Sequence, residues 1–366
     1  MNSHGPAYDV SIVTSGHDVA DARLHRLVGA FVRAGLSVEV RGLGDVTAGP
    51  EGAASVVTKD RGGMVARGLR AVSSPWQARG RVLVLLDPDT IPSAVVAKLR
   101  GRALVVDVHE DYAALLSDRQ WAHGVAGRLA RGLVSMSTRL ARRADLTVVA
   151  DAHVPPLHAR DRVVVRNEPD HTYLPPLSKP DETPRALYVG DVRATRGLFT
   201  MLDAVAAAPH WGLDIVGPVS SIDEPRALAR AGEADLAGRV RWHGRLAPAQ
   251  SWALASGAWI GFALLDDTAA FHDAVPSKLY EYLACGLPAV VTDLPRQAAL
   301  VRESGAGVVV ADAVGAAGAL NDYANDPELF AAHRKLAVSW SREHAEDSSA
   351  YDELAARVAV LARRPR

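Results

Sequence analysis

Short apolar runs alternate with longer amphipathic segments through the first half of the chain. The runs are rich in Val, Ile and Leu without period-two alternation, which is typical of strands buried on both faces. Helical periods separate them, for example in Ala22–Ala34, Ser93–Leu99 and Val125–Arg143. This series predicts a parallel sheet covered by helices. The predicted strands are Val10–Ser15, Val38–Arg41, Val82–Leu86, Ala103–Val106, Leu146–Ala150 and Val163–Arg166.

A proline-rich segment, Pro169–Pro184, interrupts this series and is typical of a linker. The alternation then begins again, and a helical tail is predicted from about Asp326 to Arg363. We therefore expect two α/β domains of similar size on either side of a cleft. Ligands of such sheets bind at the carboxyl ends of the strands. The predicted strands of the second half are Ala186–Val189, Leu213–Val216, Val240–Trp242, Ile260–Leu264, Ala289–Thr292 and Gly307–Val310.

Composition narrows the class of protein. A chain of 366 residues is long enough for two cores. Its net charge of −1 argues against a nucleic-acid-binding protein. The single cysteine, Cys285, excludes an internal disulfide, and we expect it to be a small core residue. The polar N-terminus predicts no signal peptide, and no run reaches the roughly 18 apolar residues that span a bilayer. The expected location is the cytoplasm, with possible peripheral contact to the inner membrane face.

The most informative segment is Pro276–Pro295, in which a loop leads into a short helix. The helix start at Ser277–Leu279 combines backbone N–H groups with the cation of Lys278, an arrangement that suits a phosphate. Glu281 lies on the same helical face and can accept hydrogen bonds from sugar hydroxyls. A phosphate beside a diol is what a nucleotide presents. A solvent-exposed Lys–Glu pair is the alternative interpretation.

A second segment, Tyr188–Gly197, ends a predicted strand and opens a helix. Gly190 allows a ligand to approach the backbone closely. Arg193 and Arg196 bring two guanidinium groups, which can hold phosphate oxygens. Arginines at a helix start are unfavourable unless an anion binds there.

Other polar residues follow strands of the first domain. His109 lies in Val106–Tyr112, where the chain leaves a predicted strand, and a structural role and a functional role are both open for it. Gly16 could allow a ligand to approach, and His17 beside it could simply be exposed. The pattern Asp87-Pro-Asp89 resembles a metal-binding motif, but its proline favours a turn.

Several common motifs are missing from the sequence. It has no G-x-G-x-x-G after a strand, no phosphate-binding G-x-x-x-x-G-K-[ST], no zinc-binding pattern and no G-x-S-x-G. The basic amphipathic segment Val125–Arg143 fits either an anionic membrane surface or an ordinary helix packed on the sheet.

Taken in order, these segments resemble the retaining GT-B glycosyltransferases of family 4, of the bacterial polysaccharide and natural-product type. The resemblance is strongest in Tyr188–Leu198, Trp242–Arg245 and Pro276–Pro295, and it extends to Val106–Tyr112 and Arg166–Asp170. It implies an α/β GT-B fold, with two Rossmann-like domains whose parallel sheets face across a cleft. The acceptor-side domain would be 1–170, the linker 171–184 and the donor-binding domain 185–340. A C-terminal helix at about 341–366, beginning near Trp340, would complete the first domain.

The resemblance also implies roles for residues of the second domain. Glu281 matches the glutamate that binds the donor ribose, and Lys278 matches the lysine of the P-x-K-x-x-E variant. Asp273 occupies the position of the first glutamate of E-x7-E, which contacts the transferred sugar, and is one methylene shorter. Arg196 falls where many members have a lysine beside the diphosphate. Arg193 would compensate for the aspartate that replaces an arginine at position 191.

In the first domain, His109 resembles the histidine near the sugar hydroxyls and the reacting carbon. Gly16 matches the glycine-rich turn under the diphosphate. The catalytic residues would thus be His109, Arg196, Lys278 and Asp273. The donor-binding residues would be Gly16, Gly190, Arg193, Arg196, Ser277, Lys278, Leu279 and Glu281.

The implied reaction transfers a sugar from a nucleotide-sugar donor to a hydroxyl acceptor. Cationic side chains would stabilise the leaving diphosphate, so no metal or other cofactor is expected. The partners expected are donor, acceptor and at most a membrane surface, with the chain a monomer or homodimer. Two alternatives stay open: a nucleotide-sugar epimerase with the same fold, and a noncatalytic sugar-nucleotide-binding or auxiliary subunit.

Overall fold

The computed structural model describes residues 7–98, 101–117, 124–166, 169, 171, 173–344 and 350–364. The chain forms two compact units. The first consists of Met1–Asn167 together with Glu346–Arg366, and the second of Glu168–Ala345. The block Arg166–Asp170 that resembled a family motif lies largely outside the described residues.

The first unit is built on a seven-stranded parallel sheet. Its strand order is β3-β2-β1-β4-β5-β6-β7, so the order reverses between β1 and β4. Val10 of β1 pairs with Val38 of β2 on one side and with Val82 of β4 on the other. The strands are β1 (Tyr8–Asp18), β2 (Val38–Leu43), β3 (Ser55–Lys59), β4 (Gly80–Leu85), β5 (Ala103–Val108), β6 (Leu146–Val149) and β7 (Arg162–Val164).

Helices cover both faces of this sheet. The helices that precede the second unit are α1 (Ala22–Arg33), α2 (Met64–Gln77), α3 (Ile91–Lys98), α4 (Tyr112–Ser117) and α5 (Gly124–Ala141). α1 starts where the Asp21 carboxylate accepts hydrogen bonds from the Arg23 and Leu24 amides, the usual N-cap arrangement. α1 packs on one face of the sheet, and α2, α3 and α5 cover the other.

The second unit has a six-stranded parallel sheet in the order β10-β9-β8-β11-β12-β13, which reverses between β8 and β11. Ligands of such sheets bind where the order reverses, at the carboxyl ends of the strands. The strands are β8 (Arg185–Val189), β9 (Gly212–Val216), β10 (Val240–Gly244), β11 (Ile260–Ala263), β12 (Ala289–Thr292) and β13 (Gly307–Val310).

The helices of the second unit follow its strands. They are α6 (Leu198–Ala206), α7 (Glu224–Ala231), α8 (Pro248–Ala253), α9 (Ser277–Ala284), α10 (Pro295–Ser304), α11 (Ala313–Asn325) and α12 (Pro327–Glu343). The last helix, α13 (Ala350–Arg363), returns to the first unit and packs beside α1. Cys285 is a buried free thiol at the end of α9, as the sequence predicted.

All twelve predicted strands are present, but the expectation of six strands in the first half was wrong. The additional strand, β3, is only five residues long and is partly exposed at the sheet edge, so it contains no buried apolar run.

The helical tail is also not continuous. Residues 345–349 lie outside the described part, and α12 and α13 belong to different units. Trp340, expected where the tail returns to the first domain, lies in α12 and stacks on Tyr280 at 6.0 Å between ring centroids. Among the described helices, none is long and apolar enough to span a bilayer.

Candidate functional site

The candidate site of the second unit is described from Lys278, which lies in the first turn of α9. Its side chain is buried, and its Nζ lies 3.6 Å from the centroid of the Tyr188 ring. Within the described part of the chain, Nζ has no hydrogen-bond partner. Burial and then the charge of Arg196 lower the pKa of Lys278 well below its ordinary value, against the opposing effects of Asp191 and Glu281. The structure thus buries a cation-forming group whose hydrogen-bonding capacity is unused.

Gly190 brings the backbone close to this ammonium group. It follows β8 with a φ of 135°, a conformation that favours glycine. A Cβ added there would lie 3.1 Å from Lys278 Nζ. The Tyr188 hydroxyl donates a 2.6 Å hydrogen bond to the Asp191 carbonyl and so holds the loop against the ring. The end of β8 and the start of α9 therefore form one site.

Arginines surround the carboxylate of Asp191 in the same loop. Arg193 Nη2 donates to Asp191 Oδ2 at 2.6 Å, and Arg245 Nη2 lies 3.9 Å from Asp191 Oδ1. Burial alone would raise the pKa of Asp191, but Arg196, Arg193 and Arg245 lower it. One carboxylate faces three guanidinium groups and the nearby lysine, so the site is suited to an anion.

Arg196 lies in the 3-10 turn Ala194–Arg196 that precedes α6. Its guanidinium is 5.3 Å from the centroid of the Phe271 ring. Gly197 then has a φ of 82°, and a Cβ on it would collide with the Leu264 carbonyl oxygen. The loop between β8 and α6 therefore has little freedom at this point, which fixes the direction in which Arg196 leaves the backbone.

The start of α9 has no side-chain cap. Pro276 is its N-cap residue and Ser277 is its first residue. The side chain of Leu279, a predicted donor-binding residue, is fully buried. Its amide donates a 3.0 Å hydrogen bond to the Pro276 carbonyl. Glu281 is buried one turn further along α9, on the Lys278 side.

The structure does not place Asp273 among these buried residues. It is exposed in the turn before α9, and its carboxylate forms no ion pair within the described residues. Its backbone carbonyl accepts a 3.0 Å hydrogen bond from Arg296.

Conversely, sequence reasoning assigned no role to Arg245. Arg245 directly follows β10, which lies two strands from β8 in the sheet, and this position at a strand end could have indicated a place in the site.

In the first unit, Gly16 lies near the end of β1 and His109 directly follows β5, on opposite sides of β4. The Gly16 amide donates to Asp87 Oδ2 and to Thr14 Oγ1, each at 3.2 Å. A Cβ on Gly16 would meet the flexible end of Arg67 at 3.0 Å. The backbone at Gly16 thus faces side chains of its own unit. Residues 87–89 form a turn, as the sequence predicted, with Pro88–Thr90 in a 3-10 helix.

His109 is partly buried next to His17, a residue that sequence reasoning left without a role. The two Nε2 atoms are 3.2 Å apart. His17 Nδ1 lies 3.2 Å from Asp87 Oδ2, and His109 Nδ1 lies 3.6 Å from Asp107 Oδ2. Arg23 holds Asp107 through two hydrogen bonds of 2.6 and 2.7 Å. No group of three or more His, Cys, Asp or Glu side chains among the described residues is arranged to hold a metal ion.

Comparisons with known proteins find one matching family model and several solved structures with a similar fold. Residues 171–337 match the family model "Glycosyl transferases group 1". Sucrose-phosphate synthase from Thermosynechococcus elongatus has the same fold, with a TM-score of 0.68 and 14% identity over 97% of this chain and 98% of that one. No curated protein sequence matches the chain.

Two further solved structures are similar over nearly their whole length. HepE from Anabaena, in complex with UDP and glucose, has a TM-score of 0.68 and 13% identity over 96% of this chain and 99% of that one. WaaG, a glycosyltransferase involved in lipopolysaccharide biosynthesis, has a TM-score of 0.67 and 15% identity over 95% and 99%. The protein therefore has the GT-B fold of glycosyltransferases.

Proposed function

We propose that this protein is a retaining, family 4 glycosyltransferase that moves a sugar from a nucleotide-sugar donor to a hydroxyl of a glycan, a lipid-linked or a small-molecule acceptor. The observation that carries the proposal is Lys278. Its buried Nζ, without a hydrogen-bond partner among the described residues, faces Gly190 within the part of the chain that matches the group 1 family model.

Burying an ammonium group without a hydrogen-bond partner destabilises the folded protein. The cost is about 3–5 kcal/mol in proteins where a buried ion pair loses one of its partners. An anionic ligand would remove this cost, because it favours the charged form and accepts its hydrogen bonds. The diphosphate of a nucleotide sugar is such a ligand. Arg193, Arg196 and Arg245 would contact or neutralise the same group, and Gly190 would let it approach the backbone.

The chemistry we propose follows from charge. When the bond between the sugar and the phosphate oxygen breaks, negative charge develops on the leaving diphosphate. Lys278 and Arg196 would stabilise that charge, as fixed cations do in other active sites. We propose that these cations make a divalent metal unnecessary. Retention would follow if the acceptor attacks on the face that the diphosphate leaves, with a phosphate oxygen accepting the acceptor proton.

We propose UDP as the first nucleotide to test, because the similarly folded HepE is in complex with UDP and with UDP-glucose. A hexose would then be the transferred sugar. Glu281, buried one turn after Lys278, would accept hydrogen bonds from the ribose hydroxyls. Asp273, exposed in the turn before α9, would contact the transferred sugar. A role toward the same sugar is also proposed for His109 of the first unit.

We further propose that the protein works in the cytoplasm, with peripheral contact to the inner membrane face. The helical layer of α2, α3 and α5 supports this. No acidic residue occurs between positions 119 and 144, and the arginines of α5 and its C-terminal end point outward. Apolar side chains on the same layer are exposed: Met64, Val65, Leu69 and Val72 on α2, Val96 on α3, and Val125, Leu129 and Met136 on α5.

Binding and turnover test the central proposal. Calorimetry of the full chain with UDP, GDP, dTDP and ADP, followed by their sugars, should identify one nucleotide that binds. Lys278→Met should then lower kcat/KM by about 100- to 1,000-fold, the cost typical of losing one donor to a developing negative charge. Lys335→Met is the matched control, because Lys335 is exposed on α12 of the same unit.

The outcomes separate the alternatives. Transfer to an added hydroxyl acceptor, with the anomeric configuration retained in the product, supports the proposal. Conversion of the donor into an epimer without acceptor would assign the chain to the epimerase class. Tight nucleotide binding with no turnover would assign it to the auxiliary class. Equal kcat/KM for Lys278→Met and Lys335→Met would remove Lys278 from the site.

A further inference from the structure

A small cavity lies between α2 and the sheet of the first unit, at the carboxyl halves of β1, β2 and β3. Three cationic side chains line it: Arg41 of β2, Lys59 at the end of β3 and Arg70 of α2. The hydroxyl-bearing residues Thr14 and Ser74 complete its polar lining, and none of the described residues that line it is acidic. The carboxyl ends of the strands are the edge where ligands of such sheets bind. The charge of this cavity favours an anion.

Arg70 is a buried cation whose hydrogen bonds bring no negative charge to it. Its side chain lies in a residue that is only 7% exposed. Nε donates to the Ser15 carbonyl at 3.2 Å, and the two Nη atoms donate to the Asp60 and Arg61 carbonyls at 3.2 and 2.6 Å. A guanidinium has five N–H groups, so two remain for a further acceptor. A buried charge is costly unless an opposite charge pairs with it, and an anion in the cavity would supply that charge.

The other two cations add to the positive charge of the cavity. Arg41 pairs with Glu39 at 3.0 Å, but its Nε is buried and has no hydrogen-bond partner among the described residues. Lys59 is exposed and forms no ion pair with a described residue. Asp87, another buried carboxylate at this edge of the sheet, pairs with Arg67. The cations that line the cavity therefore outnumber the carboxylates that pair with them.

We propose that Arg41, Lys59 and Arg70 form an oxyanion site that binds a phosphate group of the acceptor, so that this protein transfers sugar to phosphorylated compounds. The inference rests on the proposed function, with the first unit as the acceptor side. A phosphate monoester carries up to two negative charges and three acceptor oxygens, which suits three cations better than the single charge of a carboxylate. The phosphate only anchors the acceptor, and a separate hydroxyl of the same molecule takes the sugar.

The size of the cavity fits this anchoring role. Its enclosed volume is about 10 Å³, which is the room that one water-sized sphere needs. One phosphate oxygen would enter this space and accept hydrogen bonds from Arg70 and from Arg41 Nε. The other oxygens would stay at the mouth of the cavity beside the exposed Lys59. The rest of the acceptor would then extend away from α2 along the carboxyl edge of the sheet.

Calorimetry of the full chain with inorganic phosphate tests the site without a donor. Lys278→Met is the background, because it removes the buried cation of the second unit. Adding Lys59→Gln should weaken phosphate binding by about 5-fold, the upper range for an exposed ion pair. Adding Arg70→Gln should weaken it at least about 10-fold, as for a hydrogen bond to a charged group. Arg81→Gln is the matched control, because Arg81 is exposed on β4 of the same unit.

The exposed Lys59 decides the test even if Arg70→Gln fails to fold. Undetectable phosphate binding, or equal affinity in Lys59→Gln and Arg81→Gln, would overturn the proposal. If phosphate binds as expected but no nucleotide does, the proposed function fails and the oxyanion site stands.

Acceptor kinetics test the substrate class once a donor is known. The probes are pairs that differ by one phosphate, glucose with glucose 6-phosphate and glycerol with glycerol 3-phosphate, and phosphatidylglycerol vesicles test a lipid headgroup as the source of the phosphate. We expect transfer to the phosphorylated member of a pair. Lys59→Gln should raise its KM by about 5-fold and leave kcat and the donor KM unchanged. Transfer to the neutral members at an equal or higher rate would overturn the assignment of the acceptor.

Discussion

At the residue scale, the buried side chain of Lys278 and the anion-binding role proposed for it together predict how nucleotide affinity depends on pH. The pKa of Lys278 is well below the ordinary value, chiefly because it is buried. A diphosphate would favour the charged form and raise that pKa. Between the two pKa values, binding must therefore take up one proton, and affinity must fall as the pH rises.

Calorimetry in buffers of different ionisation enthalpy measures this proton directly. We expect nucleotide binding to the wild type to show an apparent enthalpy that depends on the buffer, corresponding to proton uptake. Lys278→Met should reduce that dependence to the part contributed by the nucleotide phosphate itself. Lys335→Met should leave it unchanged. A buffer dependence that is the same in all three proteins would show that Lys278 already carries its proton before the nucleotide binds.

The residues of the site were predictable where one local rule was sufficient. Gly190 and Lys278 follow from a glycine at a strand end and a cation at a helix start. The sequence predicted that the Leu279 amide would bind a ligand. In the structure this amide already donates a hydrogen bond to the Pro276 carbonyl, and nothing in the sequence indicates that contact. The pairing of His17 with His109 joins residues 92 positions apart. Only the strand order, which places β4 between β1 and β5, brings them together.

At the scale of elements, α5 gives the prediction for membrane contact. Leu129 is 71% exposed in the middle of the helix. Arg139, Arg142 and Arg143 are exposed at its C-terminal end and form no ion pair with a described residue. Each arginine near an anionic surface contributes about 1 kcal/mol, so replacing all three with Gln should weaken binding by about 100-fold. Leu129→Ser should weaken it further by removing an inserted apolar group.

Flotation with vesicles measures this contact. We expect the wild type to bind vesicles that contain phosphatidylglycerol and to bind pure phosphatidylcholine much more weakly. Leu228→Ser is the matched control, because Leu228 is half exposed on α7 in the second unit. Equal binding of the triple Gln variant and the wild type would show that α5 is an ordinary surface helix. Self-association in place of vesicle binding would assign the face to a second copy of the chain.

Most elements were predictable because buried parallel strands are continuous apolar runs. Val290 and Val291 of β12 illustrate this, since both side chains are fully buried and the strand bounds match the prediction. The edge strand β3 fails the same rule because solvent replaces one neighbour. The break between α12 and α13 is not visible as a change of period. It follows from which unit each helix packs on, which is a property of the tertiary structure.

At the scale of the whole molecule, the two units differ in chain continuity. The second unit is one segment, Glu168–Ala345, whereas the first needs the C-terminal segment Glu346–Arg366. α13 supplies Leu354 and Val358 to the apolar core on the α1 face of the first sheet. Arg23 Nη1 also donates to the Tyr351 hydroxyl at 3.3 Å. The stability of the first unit should therefore depend on the last residues of the chain.

Leu354→Ala tests this dependence within the full chain. A buried leucine truncated to alanine costs about 2–5 kcal/mol, because the cavity left behind collapses only partly. Hydrogen exchange should lose protection in β1, β4 and α1 of the first unit, while β8 and β11 of the second keep theirs. Val360→Ala is the matched control on α13, because Val360 is exposed. Equal loss of protection in both sheets would show that the two units unfold together as one cooperative body. The stability of the first unit would then not depend separately on the C-terminal segment.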